Sequence, residues 1–128
     1  MKRFIRLALV FWFLLVLPVS VLALEVAEGV ITTQIVERRP VDAVHSYPAT
    51  SDRLFCFTRI AGAVGESRVF HVWYWEEREM ARVELPVKSA DWRTWSSKTL
   101  LPEWAGSWRV EILDGEGKLL ETFAFNLL

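Results

Sequence analysis

Tryptophan is the residue type whose number and spacing most clearly suggest chemistry in this sequence. Six of the seven Trp residues fall between Trp73 and Trp108, a window of 36 positions. An indole ring has a large apolar face and one N–H donor, so exposed rings form platforms for sugars or protein partners. Alternatively, a small domain uses such rings to fill its core.

The sequence from Trp92 to Lys98 places polar groups among these rings. Alternate residues of an extended strand lie on the same face, which groups Arg93, Trp95, Ser97 and Thr99. Guanidinium, indole and hydroxyl groups in one row can hold an anionic or sugar-like ligand. The alternative is an ordinary cross-strand polar face in which Arg93 packs over an aromatic ring.

The same alternation groups His71 with Trp73 and Trp75. We therefore expect one ligand-binding face that is built from two strands. Its members are His71, Trp75, Arg93, Trp95 and Ser97. For His71, which stands between two apolar residues, a half-buried and hydrogen-bonded imidazole is the alternative to a ligand contact.

Catalytic residues are not predicted. Ser96 and Lys98 would share a strand face, but a Ser–Lys dyad also needs a dry pocket, and this spacing is frequent by chance. Glu76, Glu77 and Glu79 crowd into one expected turn, where solubility explains them better than glycosidic chemistry does. We therefore expect a protein that is not an enzyme.

Metal and cofactor sites are not expected either. The histidines are His45 and His71, and neither has metal-ligand spacing to the single cysteine, Cys56. Cys56 lies in the apolar sequence from Leu54 to Phe57, which predicts a buried and unreactive thiol. A single cysteine also excludes an intramolecular disulfide.

Length and charge exclude several classes of function. The chain has 128 residues and a formal net charge of −1; without Lys2, Arg3 and Arg6 of the leader, the charge is −4. This mildly acidic balance does not fit a nucleic-acid-binding protein. The 105 residues after Ala23 allow one domain with a single core.

The first 23 residues predict a helical signal peptide. Three basic residues begin it, Leu7 to Leu17 is apolar, and Val21 and Ala23 provide small residues for cleavage after Ala23. The alternative is an uncleaved anchor, although the 17 residues from Leu7 to Ala23 are near the lower limit for spanning a bilayer. We expect a periplasmic or secreted domain at residues 24–128, which contacts a membrane only if the leader remains.

Short sequences of alternating polarity recur along the mature chain between turn residues, a rhythm typical of antiparallel β domains. The strands that this rhythm predicts are Val26 to Val36, Leu54 to Ile60, Arg68 to Trp75, Met80 to Val87, Arg93 to Leu100, Trp108 to Leu113 and Leu119 to Leu127. This number of strands predicts an all-β fold, an antiparallel two-sheet sandwich of the immunoglobulin-like kind. A small barrel is the alternative.

Two segments give more detail about this fold. In the strand from Met80 to Val87, every second residue from Ala81 is apolar, so one face is expected in the core. Pro86 cannot donate a ladder hydrogen bond, which predicts that this strand lies at a sheet edge or ends there. The glycines in the sequence Asp114 to Gly117 predict a hairpin, and Arg39 to Asp52 is the longest expected loop.

Several short sequences of the mature chain carry a family resemblance. They are Arg39-Pro40-Val41, Phe57-Thr58, the sequence from His71 to Trp75, the sequence from Trp92 to Lys98, the sequence from Gly106 to Val110, the sequence from Asp114 to Gly117, and Phe125. With them the chain resembles the bacterial family DUF2914 over nearly all of its mature length. The family pattern has a glycine after the Trp-Tyr-Trp strand, where this chain has Glu76-Glu77-Arg78. The resemblance implies an exported or membrane-attached domain with no assigned reaction.

We expect an exported, non-catalytic binding or interaction module of the bacterial cell envelope. The expected partner is an envelope protein or a cell-wall polymer. The first alternative is a carbohydrate-binding domain for cell-wall glycans, which would require at least two coplanar, solvent-facing Trp rings. The second alternative is a structural subunit of an envelope assembly.

Overall fold

The computed structural model describes residues 8–16 and 23–128. The predicted signal segment falls largely on residues 1–7 and 17–22, which lie outside the described residues. Residues 8–16 are exposed and have no regular secondary structure. In the described part of the chain, we find no helix of the length and hydropathy that crossing a membrane requires.

The described residues form ten strands and one 3₁₀ turn, Pro102–Trp104. Seven strands are long, and each lies where alternation predicted a strand. They are β1 (Glu25–Thr32), β5 (Arg53–Ala61), β6 (Ser67–Trp75), β7 (Arg78–Val87), β8 (Asp91–Thr99), β9 (Gly106–Asp114) and β10 (Leu119–Leu127). Three more strands have two residues each: β2 (Ile35–Val36), β3 (Arg39–Pro40) and β4 (Ser46–Tyr47). The expected long loop therefore contains β3 and β4.

The long strands form two antiparallel sheets, which confirms the predicted all-β class. One sheet has three strands in the order β1-β5-β8, and the other has five in the order β4-β10-β9-β6-β7. The short β4 joins β10 in parallel, and β2 pairs with β3 as a separate two-stranded hairpin. As Pro86 predicted, β7 lies at a sheet edge.

One hydrophobic core joins the two sheets. Leu54, Cys56 and Ile60 of β5 are fully buried, as are Trp73 of β6 and Val110 of β9. These residues occupy alternate positions on their strands, so each sheet presents one face to the core. The buried thiol of Cys56 is confirmed, and burial raises its pKa above the ordinary value.

Glycine has a structural role where the two sheets approach each other. Gly29 of β1 leaves space for the ring of Phe123 on β10, which a Cβ atom at position 29 would overlap. Gly117 has a φ of 86°, and it closes the predicted hairpin between β9 and β10. The carboxylate of Asp114 accepts hydrogen bonds from the backbone amides of Glu116 and Lys118 at 2.9 Å, and these bonds fix the turn.

Candidate functional site

Three of the five predicted ligand-binding residues lie together on the outer face of the three-stranded sheet. Arg93, Trp95 and Ser97 alternate along β8 with residues that face the core. Trp95 lies opposite Phe57 of β5, and the two rings stack with centroids 6.5 Å apart. Phe57 is only 2% exposed although it points away from the core. The outer face is therefore partly covered.

Part of that cover is a segment that we call the strap, residues 33–42, which contains β2 and β3. Asp42 fixes the base of the strap. The Asp42 carboxylate accepts hydrogen bonds from the Thr32 hydroxyl at 2.7 Å, the Thr33 hydroxyl at 2.6 Å and the Thr33 amide at 2.9 Å. These bonds explain why the predicted strand from Val26 to Val36 is divided after Thr32: the chain leaves the sheet there.

The tip of the strap is a two-residue turn at Glu37 and Arg38, with φ values of 51° and 63°. Asn and Gly are the residues that favour this left-handed conformation, so the turn is strained as it stands. The turn places the Arg38 guanidinium 5.6 Å from the ring centroid of Trp92, which lies on β8 at the opposite edge of the sheet from β1. The strap therefore reaches from β1 to β8.

Beneath the strap lies a groove of about 510 Å³, the strap groove. Its lining residues come from β1, β3, β5 and β8: Glu28, Arg39, Pro40, Phe57, Arg59, Asp91 and Arg93. A second hollow of about 280 Å³, the edge hollow, lies beside β8. It is lined by Arg38, Pro86, Lys88 and the four residues from Trp92 to Trp95. Arg93 lines both spaces and so connects them.

The charges of the strap groove are only partly paired. Arg59 binds Glu28 at 3.0 Å and Asp91 at 2.9 Å, and the hydrogen bond from Arg59 holds the pKa of the Asp91 carboxyl below its ordinary value. Arg39 and Arg93 form no salt bridge with any residue that the structure describes. The groove therefore retains unpaired positive charge, and an anion could pair with it.

His71 lies elsewhere, between the sheets. It is hydrogen-bonded, as the alternative to a ligand contact predicted, but it is fully buried rather than half-buried. Its Nδ1 is 2.7 Å from the Ser96 hydroxyl, and its Nε2 is 3.1 Å from the Thr58 hydroxyl. The Trp73 indole donates to Ser96 at 3.0 Å, and Thr58 donates to the Thr94 carbonyl at 3.0 Å. Burial lowers the pKa of His71 to about 3.

These partners assign the tautomer of His71. The Thr58 hydroxyl already donates its proton, so it accepts one from Nε2. The Ser96 oxygen already accepts the indole proton, so its own proton is donated to Nδ1. Every member of the network is satisfied by a neutral imidazole that is protonated at Nε2.

The Ser96–His71 pair has the spacing of a nucleophile and a base, but its surroundings favour a structural role. Ser96 is 6% exposed and His71 is 0% exposed, so a substrate would have to enter the core to reach them. Lys98, the other partner considered for Ser96, has its ammonium 5.0 Å from the ring centroid of Trp104. We interpret the hydrogen bonds of His71 as the polar connection between the sheets.

The structure therefore does not bring the five predicted residues to one face. Trp75 is partly buried at the end of β6, where its indole donates to the Ala105 carbonyl at 3.1 Å. It shares a face with His71, as alternation predicted, but that face looks into the core. Arg93 and Trp95 belong to the other sheet and look outward. Trp75 and Trp95 are each partly exposed, so neither ring is wholly enclosed.

Sequence reasoning missed the residues that complete the strap groove. Arg39, Pro40 and Arg59 are brought to Arg93 by the strap and by the pairing of β5 with β8. The basic sequence at Arg38 and Arg39 was a usable signal, because Arg38 directly precedes the expected loop and Arg39 begins it. Their position over the sheet depends on the left-handed turn, which the residue types there do not favour.

The fold and the groove define a class of protein: a small all-β domain of two antiparallel sheets with a partly basic groove on the outer face of the smaller sheet. The model of the family described as "Protein of unknown function (DUF2914)" matches residues 66–127, which confirms the family resemblance over that part of the chain. The match contains β6 to β10 and therefore Arg93 and Trp95, whereas the strap precedes it. A comparison with curated proteins gave no match.

Proposed function

We propose that this protein is an exported, non-catalytic binding module of the bacterial cell envelope and that its ligand binds in the strap groove. The observation that carries the proposal is the groove itself, where Arg39 and Arg93 line about 510 Å³ of space and form no salt bridge with a described residue. The partner is an envelope protein or a cell-wall polymer that bears anionic groups.

The groove is suited to binding because it is already organised. Arg59 is held by two carboxylates, the strap is fixed by Asp42, and Trp95 is stacked on Phe57. A planar guanidinium can donate two parallel hydrogen bonds to a carboxylate or a phosphate. Pre-organised side chains lose little conformational entropy when a ligand arrives, which favours affinity.

Export and the finer fold form part of the same proposal. The basic start, apolar centre and small residues before Leu24 are typical of a signal peptide. A periplasmic location follows if the leader directs the chain across the inner membrane. The seven long strands in two sheets support an immunoglobulin-like sandwich.

The export proposal is tested by expressing the full chain in a Gram-negative bacterium and fractionating the cells. We expect the protein in the periplasmic fraction, with an N-terminus that begins at Leu24 by mass spectrometry. Protein that stays in the membrane fraction at its full mass would show that the leader remains as an anchor.

The binding proposal is tested by capture from a native envelope preparation with immobilised wild-type protein. The test variant is Arg93→Gln, and the matched control is Arg68→Gln, which makes the same charge change on the other sheet. We expect the bound fraction to fall by about tenfold for Arg93→Gln, through loss of a charged hydrogen bond, and to stay constant for Arg68→Gln. Equal capture by all three proteins would refute a role for the strap groove.

A carbohydrate-binding function is the second candidate, because the partly exposed Trp95 ring borders the edge hollow. Titration of intrinsic fluorescence with cell-wall glycans tests it, with Trp95→Phe as the comparison. Quenching that Trp95→Phe abolishes would favour a glycan ligand, whereas no response to any glycan counts against one. A partner that co-purifies in a fixed ratio would instead favour a structural subunit of an envelope assembly.

A further inference from the structure

We propose that the outer edge of β8 binds an extended, acidic peptide segment of a partner protein by strand addition. The inference rests on the proposed binding function and specifies the chemistry of its partner. In strand addition, a peptide continues the sheet: its backbone bonds to the free edge and its side chains meet those of the edge strand.

The edge of β8 is regular, and the strap tip contacts it at Trp92 through Arg38. Among the described strands, β8 pairs with β5 alone, over nine residues and without a register shift. The other long edge strands both carry devices that discourage pairing: β7 has Pro86 and an extra residue at Met80, and β1 has an extra residue at Ala27. An edge strand without a proline or an extra residue keeps the regular ladder that a further strand needs.

The hydrogen-bond phase of the ladder shows which backbone groups are free. Just beyond the end of β8, the Leu100 amide donates to the Asp52 carbonyl of the neighbouring chain segment at 3.0 Å. In an antiparallel pair, such bonded positions alternate with positions whose N–H and C=O point away. The outward positions of β8 are therefore Arg93, Trp95, Ser97 and Thr99. In the described part of the chain, no residue bonds to the backbone groups of Arg93, Trp95 or Ser97.

There is space for a peptide beside these groups. The edge hollow of about 280 Å³ lies against residues 92–95 of β8 and is also lined by Pro86 and Lys88. A strand placed there would lie about 4.8 Å from β8. Its backbone would then satisfy the outward N–H and C=O groups of Arg93 and Trp95.

Charge selects an acidic peptide. Arg38, Lys88 and Arg93 all line the edge hollow, and no acidic residue does. A carboxylate on the added strand would lie directly across from Arg93, at the distance where opposite charges stabilise a strand pair. Pairing with a second copy of this chain would instead bring two such basic clusters together, which disfavours self-association through this edge.

The first experiment measures binding of three eight-residue peptides to the full chain by fluorescence anisotropy. One alternates Glu with Thr, one alternates Lys with Thr, and one is the Glu peptide with every backbone amide N-methylated. We expect the Glu peptide to bind, and both other peptides to bind at least about tenfold more weakly, since one loses the charge pairing and the other the hydrogen bonds. Equal binding of the N-methylated peptide would overturn strand addition and leave simple anion binding.

The second experiment locates the contact by amide hydrogen exchange. Binding of the Glu peptide is expected to slow exchange at the outward amides of Arg93, Trp95 and Ser97, and to leave Thr94, which already faces β5, unchanged. Arg93→Gln should weaken binding by about tenfold and Arg68→Gln should not. Protection of the same amides without peptide, in a dimeric sample, would overturn the proposal in favour of self-association.

The proposed function and this inference can fail separately. If capture from the envelope preparation depends on Arg93 but the Glu peptide does not bind, strand addition is wrong and the binding module stands. If neither depends on Arg93, both are wrong.

Discussion

Acid should destabilise this protein through one residue, His71. The ordinary pKa of histidine is 6.5, and burial lowers that of His71 to about 3 in the folded chain. Below pH 6.5 the unfolded chain binds a proton that the folded chain excludes, so the unfolded state gains stability as the pH falls. The free energy of unfolding is therefore fully retained above pH 6.5 and declines between pH 6.5 and about 3.

The size of the decline follows from the shift. Each pH unit in that interval lowers the free energy of unfolding by about 1.4 kcal/mol. Between pH 7 and pH 5 we expect a loss of about 2 kcal/mol from His71, a large part of the stability of a domain this small. Because His71 is fully buried, solvent screening does not reduce this effect.

The assay is urea denaturation at pH 7, 6 and 5, followed by Trp fluorescence, for the wild type and His71→Asn. The Asn side chain can still accept the Ser96 hydroxyl but does not titrate in this interval, and other groups titrate alike in both proteins. We expect the variant to be about 2–4 kcal/mol less stable at pH 7, because it leaves a cavity and an unsatisfied partner. The gap between the two proteins should then shrink by about 2 kcal/mol at pH 5.

A gap that stays constant from pH 7 to pH 5 would refute the reasoning, because it would mean that His71 binds its proton equally well in both states. If His71→Asn does not fold, the ring of His71 in the wild-type protein can be titrated by NMR instead. A pKa at or above the ordinary value of 6.5 in the folded protein would then be the refuting result.

Three further predictions concern stability. Replacing the strap tip by Glu37→Asn and Arg38→Gly should raise the free energy of unfolding by about 1–2 kcal/mol in urea, because both residues suit a left-handed turn, while weakening binding of the Glu peptide; a less stable variant would contradict this. Cys56→Ser should lower the free energy of unfolding by about 1–3 kcal/mol. In the wild type, the Cys56 thiol should react with a thiol reagent only after unfolding. Gly29→Ala should lower the melting temperature, as the Phe123 ring must move; an unchanged temperature would show a looser contact.

The groove illustrates how a binding surface can be assembled from a sheet and a crossing hairpin. The sheet supplies Arg93 and Arg59, and the strap supplies Arg39 from a distant part of the sequence. The strained turn at Glu37 and Arg38 has no evident packing purpose other than to hold Arg38 over Trp92. Strain that persists in a short turn is consistent with a functional position, since stability alone would favour Asn and Gly there.

Local pattern alone determined much of the fold. Alternating polarity located the seven long strands, the apolar neighbours of Cys56 predicted its burial, Pro86 placed β7 at an edge, and the glycines after Asp114 predicted the final hairpin. These features depend on residues that are close in sequence, which is why they can be read without a structure.

Tertiary structure decided which way each face looks. Alternation predicts that His71 shares a sheet face with Trp75 and that Arg93 shares one with Trp95. It does not predict which face of each sheet is buried in the core. That choice was made by distant pairings, β6 with β9 and β5 with β8, which turned His71 into the core and Arg93 toward solvent. The strap groove likewise exists only because residues 33–42 cross a sheet in which β5 and β8 come from later in the chain.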